Sequence, residues 1–193
     1  MTSELSVLEI RAEEHHRKTA KFDPILKQWS VQLPWIDPDP ESHALTDNFR
    51  RCRAMMSKVH DTVHPDDMDM VNEAYLSMIR EGFAEEIPSD EMVPNWSTYW
   101  LTSRPVIRRN AQTTKCRIVS NGSCPDQNDR SKTLNKMLMP GPNKLPHIME
   151  LIMRFMVVAH VFLIDIQKMF LSIRLELKSD QDMLRFMLSL IHI

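Results

Sequence analysis

One carboxylate draws attention because it lies in an almost continuous apolar run. Asp165 follows the apolar residues 162–164 and precedes Ile166. Burying an ionised carboxylate in such surroundings costs free energy unless the group is hydrogen-bonded, paired or bound to a cation. From the residues alone two interpretations stay open. Asp165 caps the turn after a strand, or it is a ligand to a hard cation such as Mg²⁺, which takes carboxylate oxygens, waters and substrate phosphates.

A second group of candidate residues is basic. Lys115 and Arg117 are two positions apart, so on a strand both side chains point to one face while Cys116 and Ile118 point to the other. Paired cations suit a triphosphate, because Arg can grip two oxygens at once. Residues 92–125 contain no acid and carry five cations: Arg104, Arg108, Arg109, Lys115 and Arg117. On charge alone, a solvated surface is the simpler interpretation.

Two other groups resemble functional sites and are set aside. The sequence His-Pro-Asp-Asp at residues 64–67 contains adjacent carboxylates, but they follow a proline and open a predicted helix, where the helix dipole favours negative charge. Cys52, His60 and His64 have no second ligand pair at metal spacing, which excludes a zinc site. The three cysteines form no CxxC, so we expect reduced thiols rather than a disulfide framework.

These candidate residues need elements to position them, and the pattern predicts an α+β fold. The almost continuous apolar run predicts a central strand covered on both faces. Prolines 34, 38 and 40 indicate an extended connector and a boundary near residue 40. Apolar spacing, caps and β-branched runs predict helices at 5–21, 44–60, 66–82, 145–156 and 167–171, and strands at 27–33, 97–102, 106–109, 116–120, 157–166 and 173–177.

Composition limits the class of protein. The chain has 193 residues, 42% hydrophobic and 26% charged, with a net charge of −2, so it can bury a core and disorder throughout is excluded. Its first residues are polar and show no signal peptide, and its apolar runs are too short to span a bilayer. We therefore expect a soluble, intracellular, cytoplasmic protein that does not bind membranes.

The ordered succession of short motifs resembles the reverse transcriptase region of BEL/Pao-type LTR retrotransposon polyproteins. Residues 161–173, Val-Phe-Leu-Ile-Asp-Ile-Gln-Lys-Met-Phe-Leu-Ser-Ile, resemble the family's first catalytic palm motif, Asp-Ile-x-x-Met-Phe-x-x-Ile. Residues 113–119, Thr-Thr-Lys-Cys-Arg-Ile-Val, are similar to its fingers strand. Weaker similarities, in the family's order, lie at residues 14–19, 31–35, 75–82, 87–88, 134–135, 141–142, 151–155 and 185–186.

The resemblance implies a division of the chain and roles for particular residues. Residues 1–40 would be a lead-in helix, short strand and connector, and 41–193 a partial reverse transcriptase, with a helical lead-in at 41–90, fingers at 91–144 and the start of the palm at 145–193. Asp165 and the Ile166 carbonyl would bind the catalytic Mg²⁺ ions, or Mn²⁺. Lys115 and Arg117 would bind a deoxynucleoside triphosphate, and Phe170 would exclude a ribose 2′-hydroxyl. The further partners implied are a primer–template and the remainder of the polyprotein.

The sequence also departs from the family pattern. No Tyr-x-Asp-Asp follows Asp165, and no Asp-Thr/Ser-Gly protease motif occurs. Residues 120–123 are Ser-Asn-Gly-Ser where the family usually has Phe-Asp-Ala-Ser. We therefore expect a fragment of an RNA-directed DNA polymerase, truncated before the Tyr-x-Asp-Asp hairpin and inactive alone. Two alternatives stay open: a non-catalytic nucleic-acid-binding remnant, and an unrelated domain whose acidic helix docks a partner protein.

Overall fold

The structure, a computed structural model, describes residues 5–37, 39, 48–88, 98–126 and 129–187. Within these residues the fold is mixed α+β, with helices around two three-stranded sheets. This confirms the predicted α+β class. The helices are α1 (Val7–Thr19), α2 (Phe49–Thr62), α3 (Met68–Arg80), α4 (Leu134–Met137), α5 (Ile148–Val157) and α6 (Lys178–Asp182), with a 3₁₀ turn at Pro65–Asp67; the strands are β1 (Lys21–Asp23), β2 (Gln28–Val31), β3 (Trp100–Ile107), β4 (Cys116–Asn121), β5 (Ile173–Leu175) and β6 (Arg185–Phe186).

The chain divides into two compact units. Unit 1 comprises residues 1–34 and 139–174, and unit 2 comprises residues 35–138 and 175–193. The domains predicted at 1–40 and 41–193 stay a prediction. None of the described helices has the length and apolar character needed to cross a bilayer.

Unit 1 begins with a helix whose start is set by its own side chains. Ser6 caps α1 by accepting a hydrogen bond from the Glu9 N–H (3.3 Å), while the Glu9 carboxylate accepts one from the Ser6 N–H (2.7 Å). This reciprocal pair is a capping box. The chain then forms the antiparallel pair β1–β2, with Lys27 in the left-handed region at φ 53° between the strands. The strand order of this sheet is β1-β2-β5.

Unit 2 contains most of the buried side chains that the structure describes. Its sheet has the order β4-β3-β6, antiparallel between β3 and β4 and parallel between β3 and β6. Helix α2 packs on β3, and α3 packs on β4. The first core cluster joins Cys52, Met56, Trp100 and Met187, and the second joins Val71, Tyr75 and Cys116. Buried side chains from both helices therefore pack on this sheet.

The central strand predicted at residues 157–166 is wrong. Val157 ends α5, and residues 158–166 form neither helix nor strand and are exposed. Helix α5 forms close to its predicted bounds, yet its apolar face, expected to be buried, is also exposed. A central strand needs partner strands on both edges and covering layers on both faces. Among the described residues, no strand pairs with this run and no layer covers it, so its hydrophobicity does not produce a strand.

Smaller differences concern the neighbouring elements. The strands predicted at 97–102 and 106–109 join into the single strand β3, so the break expected between them is wrong; residue 97 lies outside the described residues. The helix predicted at 167–171 is a series of turns, in which Lys168 has φ 52°. The predicted helix at 44–60 is confirmed from Phe49 onward, while residues 44–47 lie outside the described residues.

Candidate nucleic-acid and nucleotide interface

The strands β3 and β4 form an antiparallel hairpin that positions the basic residues. The register pairs Arg104 with Val119, Val106 with Arg117 and Ile107 with Cys116. The pairing continues past the strand end, where the Arg108 N–H donates to the Lys115 carbonyl at 2.7 Å. Residues directly opposite each other in an antiparallel pair share a face of the sheet. The register therefore assigns every residue of the hairpin to one face or the other.

Four cations lie on one face of this hairpin. Arg104 and Arg108 on β3 and its extension share that face with Lys115 and Arg117 from the β4 side, because the side-chain period of a strand is two. All four side chains are exposed. These side chains make no hydrogen bond or ion pair with any residue that the structure describes. We call these four residues the basic face.

The opposite face of the hairpin is held by α3. Cys116 and Ile118 contact the cluster around Val71 and Tyr75, which confirms the predicted side-chain alternation along residues 115–118. The Tyr75 hydroxyl is 2.7 Å from the Ser103 hydroxyl in the buried layer. Burial raises the pKa of Tyr75, and the hydrogen bond to Ser103 partly offsets that rise. Since one face is committed to the core, the basic face is the one left for solvent or a ligand.

Arg109, the fifth cation of the basic stretch, has a different role. Its guanidinium donates to an Asp67 carboxylate oxygen at 2.7 Å, and Asp67 is almost buried. This hydrogen bond is the main cause of the raised pKa of Arg109. Asp67 lies where the 3₁₀ turn passes into α3, and the His64 side chain caps that turn by accepting from the Asp66 N–H. The adjacent carboxylates therefore open a helix, as predicted.

The electrostatic character of the basic face follows from its composition. No acid occurs between residues 92 and 125, so no carboxylate of this stretch neutralises the four cations. With a rise of about 3.3 Å per residue, Arg104 and Arg108 lie roughly 13 Å apart along the strand, and adjacent strands lie about 5 Å apart. A row of cations with these spacings matches several phosphates along an extended ligand. Such contacts need clustered positive charge and no particular base sequence.

The structure places the palm residues differently. Asp165 and Ile166 lie in the exposed irregular segment after α5, and Phe170 lies in the following turns with 83% of its surface exposed. These residues belong to unit 1, whereas Lys115 and Arg117 belong to unit 2. The cleft expected between Asp165 and Arg117 stays a prediction. So do the roles of Asp165 and Phe170.

The described residues do not fit a magnesium site at Asp165. Within them no group of three or more His, Cys, Asp or Glu side chains could hold a metal ion. Two-metal phosphoryl transfer requires several carboxylates around one site. A single exposed carboxylate does not meet that requirement, so no reaction step follows from these residues.

Sequence reasoning identifies only half of the basic face. It pairs Lys115 with Arg117 on one face, but it includes Arg104 and Arg108 only as members of a charged stretch. Arg104 and Arg108 each lie two residues from Val106, and on one continuous strand this spacing places both arginines on the same face. The predicted break between two short strands hides it, because Arg104 then lies between the strands and not on the same strand as Arg108.

Comparison of the chain with family models, with curated proteins and with solved structures returned no match. The functional assignment therefore depends on the residues and on the geometry of the hairpin.

Proposed function

We propose that this chain is the fingers and first part of the palm of an RNA-directed DNA polymerase similar to BEL/Pao-type reverse transcriptases, and that its basic face binds phosphates. The observation that supports the proposal is the exposed, unneutralised row of Arg104, Arg108, Lys115 and Arg117 on one face of β3–β4. Part of this row lies in the motif that resembles the family's fingers strand. Like charges placed side by side oppose folding slightly, and phosphate binding would compensate for that cost.

Each residue has a role in this proposal. Lys115 and Arg117 bind the triphosphate of a deoxynucleotide, with the guanidinium able to contact two oxygens. Phe170 excludes the ribose 2′-hydroxyl. Asp165 and the Ile166 carbonyl are the residues that the resemblance assigns to Mg²⁺. Because the described residues do not fit that ion, we assign no polymerisation to them alone, and we expect nucleotide and nucleic-acid binding without primer extension.

A second candidate function is a non-catalytic nucleic-acid-binding remnant. It is favoured by the fact that the basic face depends only on the hairpin and on the α3 packing beneath it. Neither Asp165 nor Phe170 contributes to that face. In this case a polynucleotide binds, and a nucleoside triphosphate does not compete for the same residues.

The test is a binding titration with a fluorescent single-stranded oligonucleotide at several salt concentrations. Four phosphate contacts give a slope of log K against log salt of about −3 for a single strand. The double variant Lys115→Gln/Arg117→Gln should lose about half of that slope. The matched control is Arg53→Gln, an exposed cation on α2 in the same unit, which should leave binding unchanged. Binding that is independent of salt, or that falls equally in both variants, would contradict phosphate binding by the basic face.

Competition and primer extension separate the two candidate functions. Displacement of the oligonucleotide by deoxynucleoside triphosphate that requires Lys115 and Arg117 supports the polymerase fragment, and its absence supports the remnant. Primer extension is then measured with Mg²⁺ and all four deoxynucleotides. Extension that Asp165→Asn abolishes would show that this chain does catalyse polymerisation, contrary to our expectation.

A further inference from the structure

A small cavity lies between α2, α3 and β3 in unit 2, on the core side of the hairpin. It encloses about 20 Å³, which is room for one particle of the size of a water molecule. Three of its lining side chains carry atoms that bind metals: the thioethers of Met56 and Met68 and the imidazole of His60. The remaining lining residues are three valines, Pro105 and Tyr75, so none of the described lining residues is an acid.

His60 supplies a buried polar atom that lacks a partner. Its Nε2 atom is buried and forms no hydrogen bond with any residue that the structure describes. The other ring nitrogen, Nδ1, lies 3.8 Å from a carboxylate oxygen of Asp61. That carboxylate favours the tautomer with its proton on Nδ1, which leaves the Nε2 atom with a free lone pair. Buried polar atoms are rarely left unpaired, and a metal ion is a partner that a nitrogen lone pair can bind.

The two methionines bring sulfur to the same cavity. Met56 lies one turn before His60 on α2, so both side chains lie on one face of that helix. Met68 begins α3 and therefore reaches the cavity from the second helix. The Met56 sulfur accepts from the N–H and the hydroxyl of Ser103 at 3.5 and 3.6 Å. These long contacts hold the sulfur in position, and a thioether is a weak enough acceptor for a metal ion to compete for its lone pairs.

We propose that Met56, His60 and Met68 form a binding site for a soft monovalent metal ion, Cu(I). Thioether sulfur is a soft ligand that selects Cu(I), and imidazole also binds copper. Charge leads to the same ion, because the free-energy cost of placing an ion in an apolar cavity rises with the square of its charge. A divalent ion such as Zn²⁺ or Mg²⁺ needs thiolates or carboxylates around it, and the described lining residues supply neither.

The copper site is independent of the proposed function. Its ligands lie on the core side of the hairpin, whereas the basic face lies on the other side. Two ligands belong to α2 and one belongs to α3, so a bound ion links the two helices that pack on the β3–β4 sheet. Because the ion binds the folded chain, it should raise the stability of unit 2. Oligonucleotide binding by the basic face requires no copper, so either proposal can fail without the other.

Titration of the full chain with Cu(I) under anaerobic conditions, in competition with the chromogenic chelator bicinchoninate, measures the affinity. Met68→Leu removes one sulfur and nearly conserves the volume, so it should weaken Cu(I) binding at least about tenfold. The matched control is Met55→Leu, which should leave the affinity unchanged, because Met55 is an exposed neighbour of Met56 on α2 outside the cavity lining. Absence of binding, or equal effects of the two variants, would overturn the proposal.

Nuclear magnetic resonance of the chain labelled with ¹³C at the methionine methyl groups tests which sulfurs bind. On titration with Ag(I), a redox-inactive substitute for Cu(I), the methyl signals of Met56 and Met68 should shift, while that of Met55 should not. Each signal is assigned from the spectrum of its Met→Leu variant. Shifts confined to other methionines, or binding that His60→Phe leaves unchanged, would place the ion elsewhere and contradict the site.

Urea denaturation with and without Ag(I) separates metal binding from packing. The ion should raise the midpoint of the unaltered chain and of Met55→Leu, and it should raise that of Met68→Leu much less. Without metal, the midpoint of Met68→Leu should stay close to that of the unaltered chain, because its volume is nearly conserved. A Met68→Leu variant that is less stable without metal, yet gains the full shift with Ag(I), would show that Met68 only packs.

Discussion

Asn48 links the start of α2 to β3 through its side chain. It is fully buried, and its amide forms two hydrogen bonds of 2.7 Å with Trp100, donating to the carbonyl and accepting from the N–H. The amide thus forms the same pair of hydrogen bonds with the Trp100 backbone that a residue of a neighbouring strand would form. Asn48 is also the N-cap residue of α2, but its side chain makes no capping bond because the amide is already engaged by β3. These hydrogen bonds add to the apolar contacts of Cys52 and Met56 with Trp100 at the same junction.

We predict that Asn48→Ala lowers the free energy of unfolding by about 2–4 kcal/mol, because it leaves a buried N–H and a buried carbonyl without their partners. Urea denaturation followed by tryptophan fluorescence measures the effect. Asn135→Ala is the control, since its amide bonds the Ser123 hydroxyl at the surface and water can replace that bond. Its cost should stay below about 1 kcal/mol. Equal costs for the two variants would refute the role assigned to Asn48.

The β3–β4 hairpin carries two kinds of cation: one forms an ion pair within the fold, and the others form the exposed basic face. Arg109 forms an ion pair with the almost buried Asp67, which attaches the end of the hairpin to the start of α3. Arg108, the preceding residue, lies opposite Lys115 on the basic face, and its guanidinium has no partner among the described residues. Like charges in this arrangement oppose folding slightly. Neighbouring arginines therefore have opposite effects on stability.

The pair of variants Arg108→Gln and Arg109→Gln tests this difference. Arg108→Gln should leave the unfolding free energy within about 0.5 kcal/mol of its original value, or raise it slightly at low salt, while weakening oligonucleotide binding. Arg109→Gln should lower the urea midpoint, because the Asp67 carboxylate loses the cation that it pairs with. It should weaken oligonucleotide binding less than Arg108→Gln does. Urea denaturation and the oligonucleotide titration measure both properties on the same samples. Loss of stability in Arg108→Gln would mean that the basic face is structural.

Local signals in the sequence predict the elements whose causes are local. The capping box of α1, the proline ahead of α3 and Gly82 after it, at φ 74°, depend on residues a few positions apart. Pro105 favours a break between two strands on the same local grounds, yet it lies within β3. Among the residues that the structure describes, β6 pairs with β3 at Trp100 and Leu101 and no strand pairs with that edge near Pro105, so the missing N–H of Pro105 costs little.

The rest of the fold and site depends on partners that are remote in sequence. The apolar run at 157–166 has the composition of a central strand, but pairing and coverage come from other segments, which its own residues do not specify. The common face of Lys115 and Arg117 is predictable because both residues lie on one predicted strand, where side chains alternate between the two faces. Membership of Arg104 and Arg108 in the same face requires the register between two strands. Register is set by packing on α3, which the sequence does not state directly.

At the scale of the whole molecule, the two units differ in how they are stabilised. The two core clusters formed by described residues lie in unit 2, where α2 and α3 pack on the sheet. The buried apolar residues described in unit 1 are Ala12 and Met139. Burial of apolar area is the main favourable contribution to stability. Unit 1 should therefore open at a lower free energy than unit 2.

We predict that hydrogen exchange, followed by mass spectrometry, protects the amides of β3, β4, α2 and α3 most strongly, and exchanges those of β1, β2 and α5 first. Segments with few buried contacts open locally, without global unfolding. Trp100→Ala, which removes a buried indole from the first cluster, should cost about 3–5 kcal/mol and reduce protection throughout unit 2. Protection of α1 should change little, because its capping box and its contacts with β2 are local to unit 1. An equal loss of protection in α1 would mean that the two units unfold as one cooperative structure.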